Sequence, residues 1–288
     1  MKIAIASGKG GAGKTTIATS LAVLGAQRGL PMAYLDCDVE EPNGHLFLHP
    51  VLTDRQIVHV PVPQVDEEAC RAAGTCGLCG KACHFSAIVC LGNVVVVNPD
   101  LCHGCGACVL ACPASALKEI AHRTGLVETG PAGAVAFVQG LLDVGQAMAT
   151  PVVRRVKALS PAGRIVLLDA PPGTTCPTVE TVRDSDLVLL VAEATPFGFH
   201  DFGLAADMAR AVGLRTAAVL NRVEGPVADM RAWCAQQGIP ILAEVPADRG
   251  VAEAYARGDM PVRAVPEFRQ SMEQLLTGLL QAAGGRQS

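Results

Sequence analysis

The 288-residue chain is predicted to be an α/β protein, with a mostly parallel sheet flanked by helices and one small cysteine-rich insert. Three observations predict this. The chain opens as apolar strand, glycine loop, helix and second strand. Short apolar runs ending in Asp or Asn then alternate with helical stretches through the C-terminal half. Nine of the 12 cysteines fall between residues 70 and 112, where that alternation stops.

Residues 2–6 (KIAIA) form the first strand, and 14–28 form a helix with Ile17, Leu21 and Leu24 on one face. Residues 31–36 (PMAYLD) make the second strand, which ends in acid. From about residue 61 prolines and acids precede the cysteines, so an inserted domain is placed at 64–118, between two parts of a larger domain, 1–63 and 119–288. Within the insert, 88–97 (IVCLGNVVVV) has the pattern of a hairpin turning near Gly92 and Asn93. Helices are expected at 134–144, 151–159, 201–212 and 228–237. Strands are expected at 164–169, 186–192, 215–220 and 240–245. A last helix, 266–282, carries Phe268, Met272, Leu275 and Leu279 at helical spacing, with Gly278 weakening its end and 283–288 fraying.

Composition excludes several classes. Lys and Arg number 23 against 27 Asp and Glu, without a long basic tract, so phosphate-mediated nucleic-acid binding is not expected. No run of 18 apolar residues predicts a membrane-spanning helix. The N-terminal MKIAIASGKGG lacks the apolar core and cleavage site of an export signal. A cytoplasmic, reducing location is therefore expected, where clustered cysteines serve metal or redox chemistry rather than disulfides.

Residues 8–15, GKGGAGKT, match the Gly-x4-Gly-Lys-Thr phosphate-binding loop. Its glycines let backbone N–H groups surround phosphate oxygens, and the following helix adds its positive end. The expected nucleotide contacts are Gly8, Gly10, Gly11, Ala12, Gly13, Lys14, Thr15 and Thr16. Lys14 reaches the β- and γ-phosphates, Thr15 ligates Mg²⁺ and Thr16 touches the α-phosphate. Asp169, which closes RIVLLD, supplies a Mg²⁺-side acid, while Asp36 and Asp38 end a strand near the same sheet edge. No guanine-reading Asn/Thr-Lys-x-Asp motif occurs, which favours ATP over GTP.

Residues 7–16, SGKGGAGKTT, resemble the deviant loop of the MinD/ParA/nitrogenase-iron-protein class of P-loop ATPases, marked by the additional Lys9. Residues 36–40 (DCDVE) and 169–173 (DAPPG) are similar to that class's two switch segments. The resemblance, which covers most of 1–50 and 160–250, implies MgATP hydrolysis by a homodimer closing over nucleotide. It gives Lys9 the role of reaching across the dimer and Asp38 that of positioning the attacking water. It also implies that Asp36 acts on Mg²⁺ through water, that Asn221 and Arg222 lie at the adenine, and that the loop at Pro246 closes over the base.

Residues 102–113, CHGCGACVLACP, follow C-x2-C-x2-C-x3-C-P. Three thiolates so spaced wrap one face of a cubane and the fourth points to a second cluster, whereas zinc favours two separated C-x2-C pairs. The earlier run, Cys70, Cys76, Cys79 and Cys83-His84, resembles the first motif of bacterial two-cluster ferredoxins, with three extra residues after Cys70. Residues 83–88 (CHFSAI) and 112–117 (CPASAL) also resemble each other. Exchange of fourth ligands, as in such ferredoxins, implies one [4Fe–4S] cluster on Cys70, Cys76, Cys79 and Cys112. The second takes Cys83, Cys102, Cys105 and Cys108. Cys90 is either a hairpin core thiol or a substitute ligand, and Cys176 either packs or signals between nucleotide and cluster.

The whole chain resembles a P-loop NTPase of the MinD superfamily carrying an inserted bacterial-type ferredoxin domain. Coupling of ATP to electron transfer from two clusters to an unidentified redox partner is the leading expectation. The alternatives are an ATPase delivering clusters to an apo-protein, and a MinD-like positioning protein with a structural ferredoxin module.

Overall fold

The computed structural model describes residues 1–72, 76–92 and 94–284; Asn93 at the expected hairpin turn and the tail 285–288 lie outside these. Among the described residues the strands of the N-terminal half are β1 (Lys2–Ala6), β2 (Met32–Asp36), β3 (Asp54–Val65), β4 (Ile88–Leu91), β5 (Val94–Val97), β6 (Leu117–Ala132) and β7 (Val135–Leu142). The later strands are β8 (Ile165–Asp169), β9 (Leu187–Glu193), β10 (Thr216–Val223) and β11 (Ile241–Pro246). The first helices are α1 (Lys14–Gln27), α2 (His45–Leu48), α3 (Glu67–Ala72), α4 (Leu78–Ala82), α5 (Ala107–Leu110) and α6 (Thr150–Ala158). They are followed by α7 (Cys176–Val182), α8 (Pro196–Ala211), α9 (Ala228–Gln237), α10 (Arg249–Ala256), α11 (Pro261–Ala264) and α12 (Pro266–Gly284).

Two compact units divide the chain, one of residues 1–55, 127–140 and 153–288, the other of 56–126 and 141–152. The expected insert, 64–118, falls inside the second. The main sheet runs β11-β10-β9-β1-β8-β2-β7-β6-β3, and the six pairings from β11 to β7 are parallel. Strands such as β1, β2 and β9 are apolar along nearly their whole length because helices cover both faces of a parallel sheet.

The core of the larger unit joins Ile3 and Ile5 of β1, Leu21 and Leu24 of α1, and Phe268, Met272, Leu275 and Leu279 of α12. Gly278 does not weaken that last helix. It packs beside Leu242 of β11, where a Cβ would meet the Leu242 side chain at ordinary contact distance, and the helix runs to Gly284. Helix α8 starts at Pro196, five residues before the expected 201, because Thr195 Oγ1 accepts the Gly198 N–H at 3.1 Å and Pro196 suits the first turn.

One expectation is overturned. Residues 135–142 are strand β7, not a helix, and Ala33–Asp36 pair with Ala136–Gln139. Val135, Phe137, Val138 and Gln139 are all buried, and a strand covered on both faces has no two-residue period to separate it from a helix. The sequence reading also lacks β3 and the 16-residue β6.

The second unit has a small core of Cys79, Ile88, Cys108 and Leu117. Its hairpin pairs β4 with β5 antiparallel, Ile88 opposite Val97 and Cys90 opposite Val95. Among the described residues no helix is long and apolar enough to cross a membrane.

Phe137, 1% exposed, stacks on Tyr34 with ring centroids 5.7 Å apart. Phe137→Ala is expected to remove about 3–5 kcal/mol of stability, read as a lower urea midpoint for the larger unit.

Candidate functional site

In the larger unit β1 delivers the chain to the loop 7–13, and α1 begins at Lys14. Two turns of this loop require glycine: Gly11 has φ 76° and Gly13 has φ 95°. A Cβ on Gly13 would also collide with Asn221 Nδ2. That amide donates to the Ala12 carbonyl at 2.8 Å, so the end of β10 is tied to the loop. Gly8 is bare for a second reason, since a Cβ there would strike the Asp201 carbonyl of α8. Gly173 N–H donates to the Ser7 carbonyl at 3.1 Å, which links the 169–173 segment to the same loop.

Both lysines of the loop have partners within the chain. Lys14 Nζ donates to Ser7 Oγ at 3.1 Å, and that hydroxyl donates to the Lys9 carbonyl at 2.6 Å. Burial pulls the Lys14 ammonium below its ordinary value, while Asp169 and Asp38 oppose the shift. Lys9 Nζ lies 2.5 Å from Glu193 Oε2, and Arg222 Nη1 lies 3.6 Å from Glu193 Oε1. The Lys9 ammonium holds the Glu193 carboxyl below the usual range, with Arg222 adding to it.

Three carboxyl groups gather at the strand ends. The β2–β8 register places Asp36 directly opposite Asp169. Both are buried, and burial, aided for Asp36 by the charge of Asp169, raises each above the ordinary carboxyl value. The Tyr34 hydroxyl lies 2.8 Å from Asp169 Oδ2 and 3.3 Å from Asp36 Oδ2. Asp36 also accepts the Gly44 N–H at 2.9 Å and the Asp38 N–H at 3.2 Å. Asp169 Oδ1 is buried without a hydrogen-bond partner. Burial, then the Asp169 charge, lifts the Asp38 carboxyl to about 6.

Tyr34 and Glu193 were missed by sequence reasoning. Tyr34 precedes Asp36 by two residues in a strand and so shares its face, a signal present in the sequence. Glu193 shows its role only through the register that sets it beside Asn221. Arg222, with φ 56°, follows Asn221, and exposed Pro246 ends β11 beside Val223. Cys37 is buried, its thiol pushed up by burial and then by Asp36. Cys176 is exposed at the first turn of α7.

In the smaller unit two cavities take up the cysteines. The first is lined by Cys70, Cys76, Cys79, Cys90 and Cys112. The second is lined by Cys83, Cys102, Cys105 and Cys108, with Phe85 and His103 stacked at 3.4 Å between centroids. The two cysteine runs repeat the same backbone. Gly77 and Gly106 open α4 and α5 at φ 64° and 70°, and Ser86 and Ser115 have φ 55° and 50°. Burial raises the Cys83 thiol, but the N–H groups of Phe85, Ala87, Ile88 and Ser86 outweigh it and leave the thiol below its ordinary value. Among the described residues no group of three or more His, Cys, Asp or Glu is arranged to hold a metal ion.

A glycine loop between a buried parallel strand and a helix, with acids on the neighbouring strand ends, defines a P-loop nucleotide-binding protein of α/β fold. The chain belongs to the CobQ/CobB/MinD/ParA nucleotide binding domain family, whose family model matches residues 3–262. An uncharacterized protein of Methanocaldococcus jannaschii is 35% identical over 206 residues, 70% of each chain. The iron-sulfur cluster carrier protein of a Synechocystis strain is 50% identical over only 46 residues, 16% of this chain and 13% of that protein. The fold is similar to the septum site-determining protein MinD of Pyrococcus horikoshii complexed with Mg-ADP, at TM-score 0.60 and 19% identity over 98% of this chain and 97% of that one. It is also similar to the cell division ATPase MinD of Pyrococcus furiosus, at TM-score 0.58 and 20% identity over 97% of this chain and 98% of that one.

Gly13→Ala combines a left-handed φ with a clash, whereas Gly29→Ala, at φ 75°, meets open space. Calorimetric titration with MgATP is expected to give at least a tenfold weaker affinity for Gly13→Ala, the cost of about 1.4 kcal/mol, and an unchanged affinity for Gly29→Ala.

Proposed function

We propose that this protein binds and hydrolyses MgATP and couples its nucleotide state to electron transfer from two [4Fe–4S] clusters to a partner protein. One observation carries this reading: the chain that holds the P-loop also lines two cavities with cysteines, Cys70, Cys76, Cys79, Cys90 and Cys112 in one and Cys83, Cys102, Cys105 and Cys108 in the other. By chemical type the donors suit these groups. The buried, unpartnered Asp169 Oδ1 near raised carboxyls is the acceptor expected beside a cation, and Mg²⁺ needs only one or two carboxylates besides phosphate and water. Soft thiolates, at least four lining each cavity, with N–H donors around Cys83, suit an iron–sulfur cubane.

On ATP binding Lys14 exchanges Ser7 for β- and γ-phosphate oxygens, while the N–H groups of Gly8 to Thr16 surround the phosphates. Thr15 and Asp169 hold Mg²⁺, with Asp36 acting through water; the ion neutralises phosphate charge. Asp38 positions the water that attacks the γ-phosphoryl group, giving ADP and phosphate. Lys9 leaves Glu193 to reach the nucleotide of the second subunit in a homodimer. Asn221, Arg222 and the loop at Pro246 border the base, Asn221 at the same time holding the loop through Ala12. Cys70, Cys76, Cys79 and Cys112 hold one cluster and Cys83, Cys102, Cys105 and Cys108 the other, and the clusters supply one-electron storage. The 36–40 segment leads along the chain into the cysteine unit, a covalent route between nucleotide and clusters. The location is the cytoplasm, where thiols stay reduced.

A second reading, cluster delivery to an apo-protein, is favoured by the short match to the carrier protein. A third, positioning in the manner of a MinD, is favoured by the fold likeness. An anaerobic redox titration followed by electron paramagnetic resonance separates them. Two cubane signals whose potentials or line shapes differ between MgADP and a non-hydrolysable ATP analogue are expected. Nucleotide-blind signals, with ATP turnover indifferent to cluster oxidation state, would sink the coupling.

The raised Asp38 carboxyl sets a pH dependence. Water positioning needs the carboxylate, so kcat/KM for ATP is expected to rise with pH through about 6. Asp38→Asn is expected to lower turnover about a hundredfold and flatten that limb, measured by phosphate release.

A further inference from the structure

Five thiols line the first cysteine cavity, one more than a cubane takes. The surplus sulfur is that of Cys90 on β4, and it is paired. Its Sγ lies 3.4 Å from Cys79 Sγ on α4. Gly80, next to Cys79, leaves the space: a Cβ there would stand 3.2 Å from Cys90 Sγ. Cys79 is buried and Cys90 half-buried, both in the small core with Ile88. A disulfide bond is about 2.05 Å long, so the two sulfurs have to approach by the remainder of the gap.

We propose that Cys79 and Cys90 form a reversible disulfide that withdraws Cys79 from the ligand set of the first cluster. The bond stands on the thiol geometry alone, while its effect on iron loading rests on the cluster reading above. The oxidant is a low-molecular-weight disulfide. The more accessible Cys90, as thiolate, attacks it; the reagent's S–S bond breaks, a mixed disulfide forms and one small thiol leaves. Cys79, losing its proton, then attacks the Cys90 sulfur and releases the second small thiol. Two protein thiols are oxidised, one reagent disulfide is reduced to two thiols, and both protons end on those thiols. A dithiol reductant reverses the exchange. With the bond closed the cavity retains Cys70, Cys76 and Cys112, three thiols where four-cysteine ligation needs one more.

The test uses the full-length protein, stripped of iron by a chelator under reducing conditions and then exposed anaerobically to oxidised glutathione. After alkylation of free thiols, tandem mass spectrometry is expected to find Cys79 linked to Cys90, with the link absent from Cys90→Ser and retained in Cys76→Ser. No link, or Cys79 joined to another cysteine in the wild type, overturns the proposal. Reconstitution with ferrous iron and sulfide is then expected to load the oxidised protein with about half the iron of the reduced protein. Reduced Cys90→Ser is expected to load as the reduced wild type does. Equal loading of oxidised and reduced wild type overturns the withdrawal of Cys79, and lost loading in reduced Cys90→Ser makes Cys90 a ligand and overturns it too. Failure of every sample to bind iron, with the link mapped, removes the cluster reading and the withdrawal together while the disulfide stands.

Discussion

The nucleotide site depends on one register, the pairing of β2 with β8 that sets Asp36 opposite Asp169 at buried strand ends. Two carboxyls side by side in a low-dielectric setting repel each other when ionised and lose hydration. The fold offsets part of that cost with the Tyr34 hydroxyl and the N–H groups of Gly44 and Asp38. It leaves Asp169 Oδ1 without a partner. A sheet that accepts this arrangement is poorer in stability than one with apolar residues there. On its other side β2 pairs with β7, which sets Tyr34 opposite Phe137 and stacks their rings, so Tyr34 joins the acid pair to the core beside it.

Much of this was legible in the sequence for a simple reason. In a parallel sheet every strand ends on one edge, so acids closing apolar strands gather there whatever the connections between them. The glycine loop was legible because φ values such as that of Gly13 admit few other residues. The clustering of cysteines was legible through spacing, whereas the place of Cys90 among those lining the first cavity was not. What escaped depended on tertiary contacts. Tyr34 in an apolar strand has the pattern of core, and Glu193 gains meaning only from the register beside Asn221. Strand β7 escaped because burial on both faces erases the period that distinguishes strand from helix.

The smaller unit shows how a short chain segment without a large core is organised. Its duplicated turns use glycine at Gly77 and Gly106 and left-handed serines at Ser86 and Ser115, conformations that aim backbone N–H groups at the cysteine runs. Those N–H groups outweigh the burial of Cys83 and leave its thiol more acidic than an ordinary one. Cys79 follows the opposite course: burial and the Cys90 thiol push it up to about 12. Sulfurs within one run are therefore electrostatically unequal, first through burial of Cys79 and then through Cys90, which has no counterpart among the cysteines lining the second cavity.

Cations in the phosphate loop are already satisfied by this chain: Lys14 by Ser7, and Lys9 by Glu193. Nucleotide binding is thus an exchange of partners rather than the capture of an anion by free charges, and its net free energy is the difference between two sets of contacts. For Lys14 the exchange is local and favourable, because a neutral hydroxyl gives way to charged oxygens. For Lys9 a carboxylate must be surrendered, and only another anion of comparable charge can replace it. Glu193 is not stranded by that departure, since Arg222 stands 3.6 Å from its other oxygen. The paired cation lowers the cost of releasing Lys9, and the ion pair becomes a threshold that any anion taking up Lys9 must exceed.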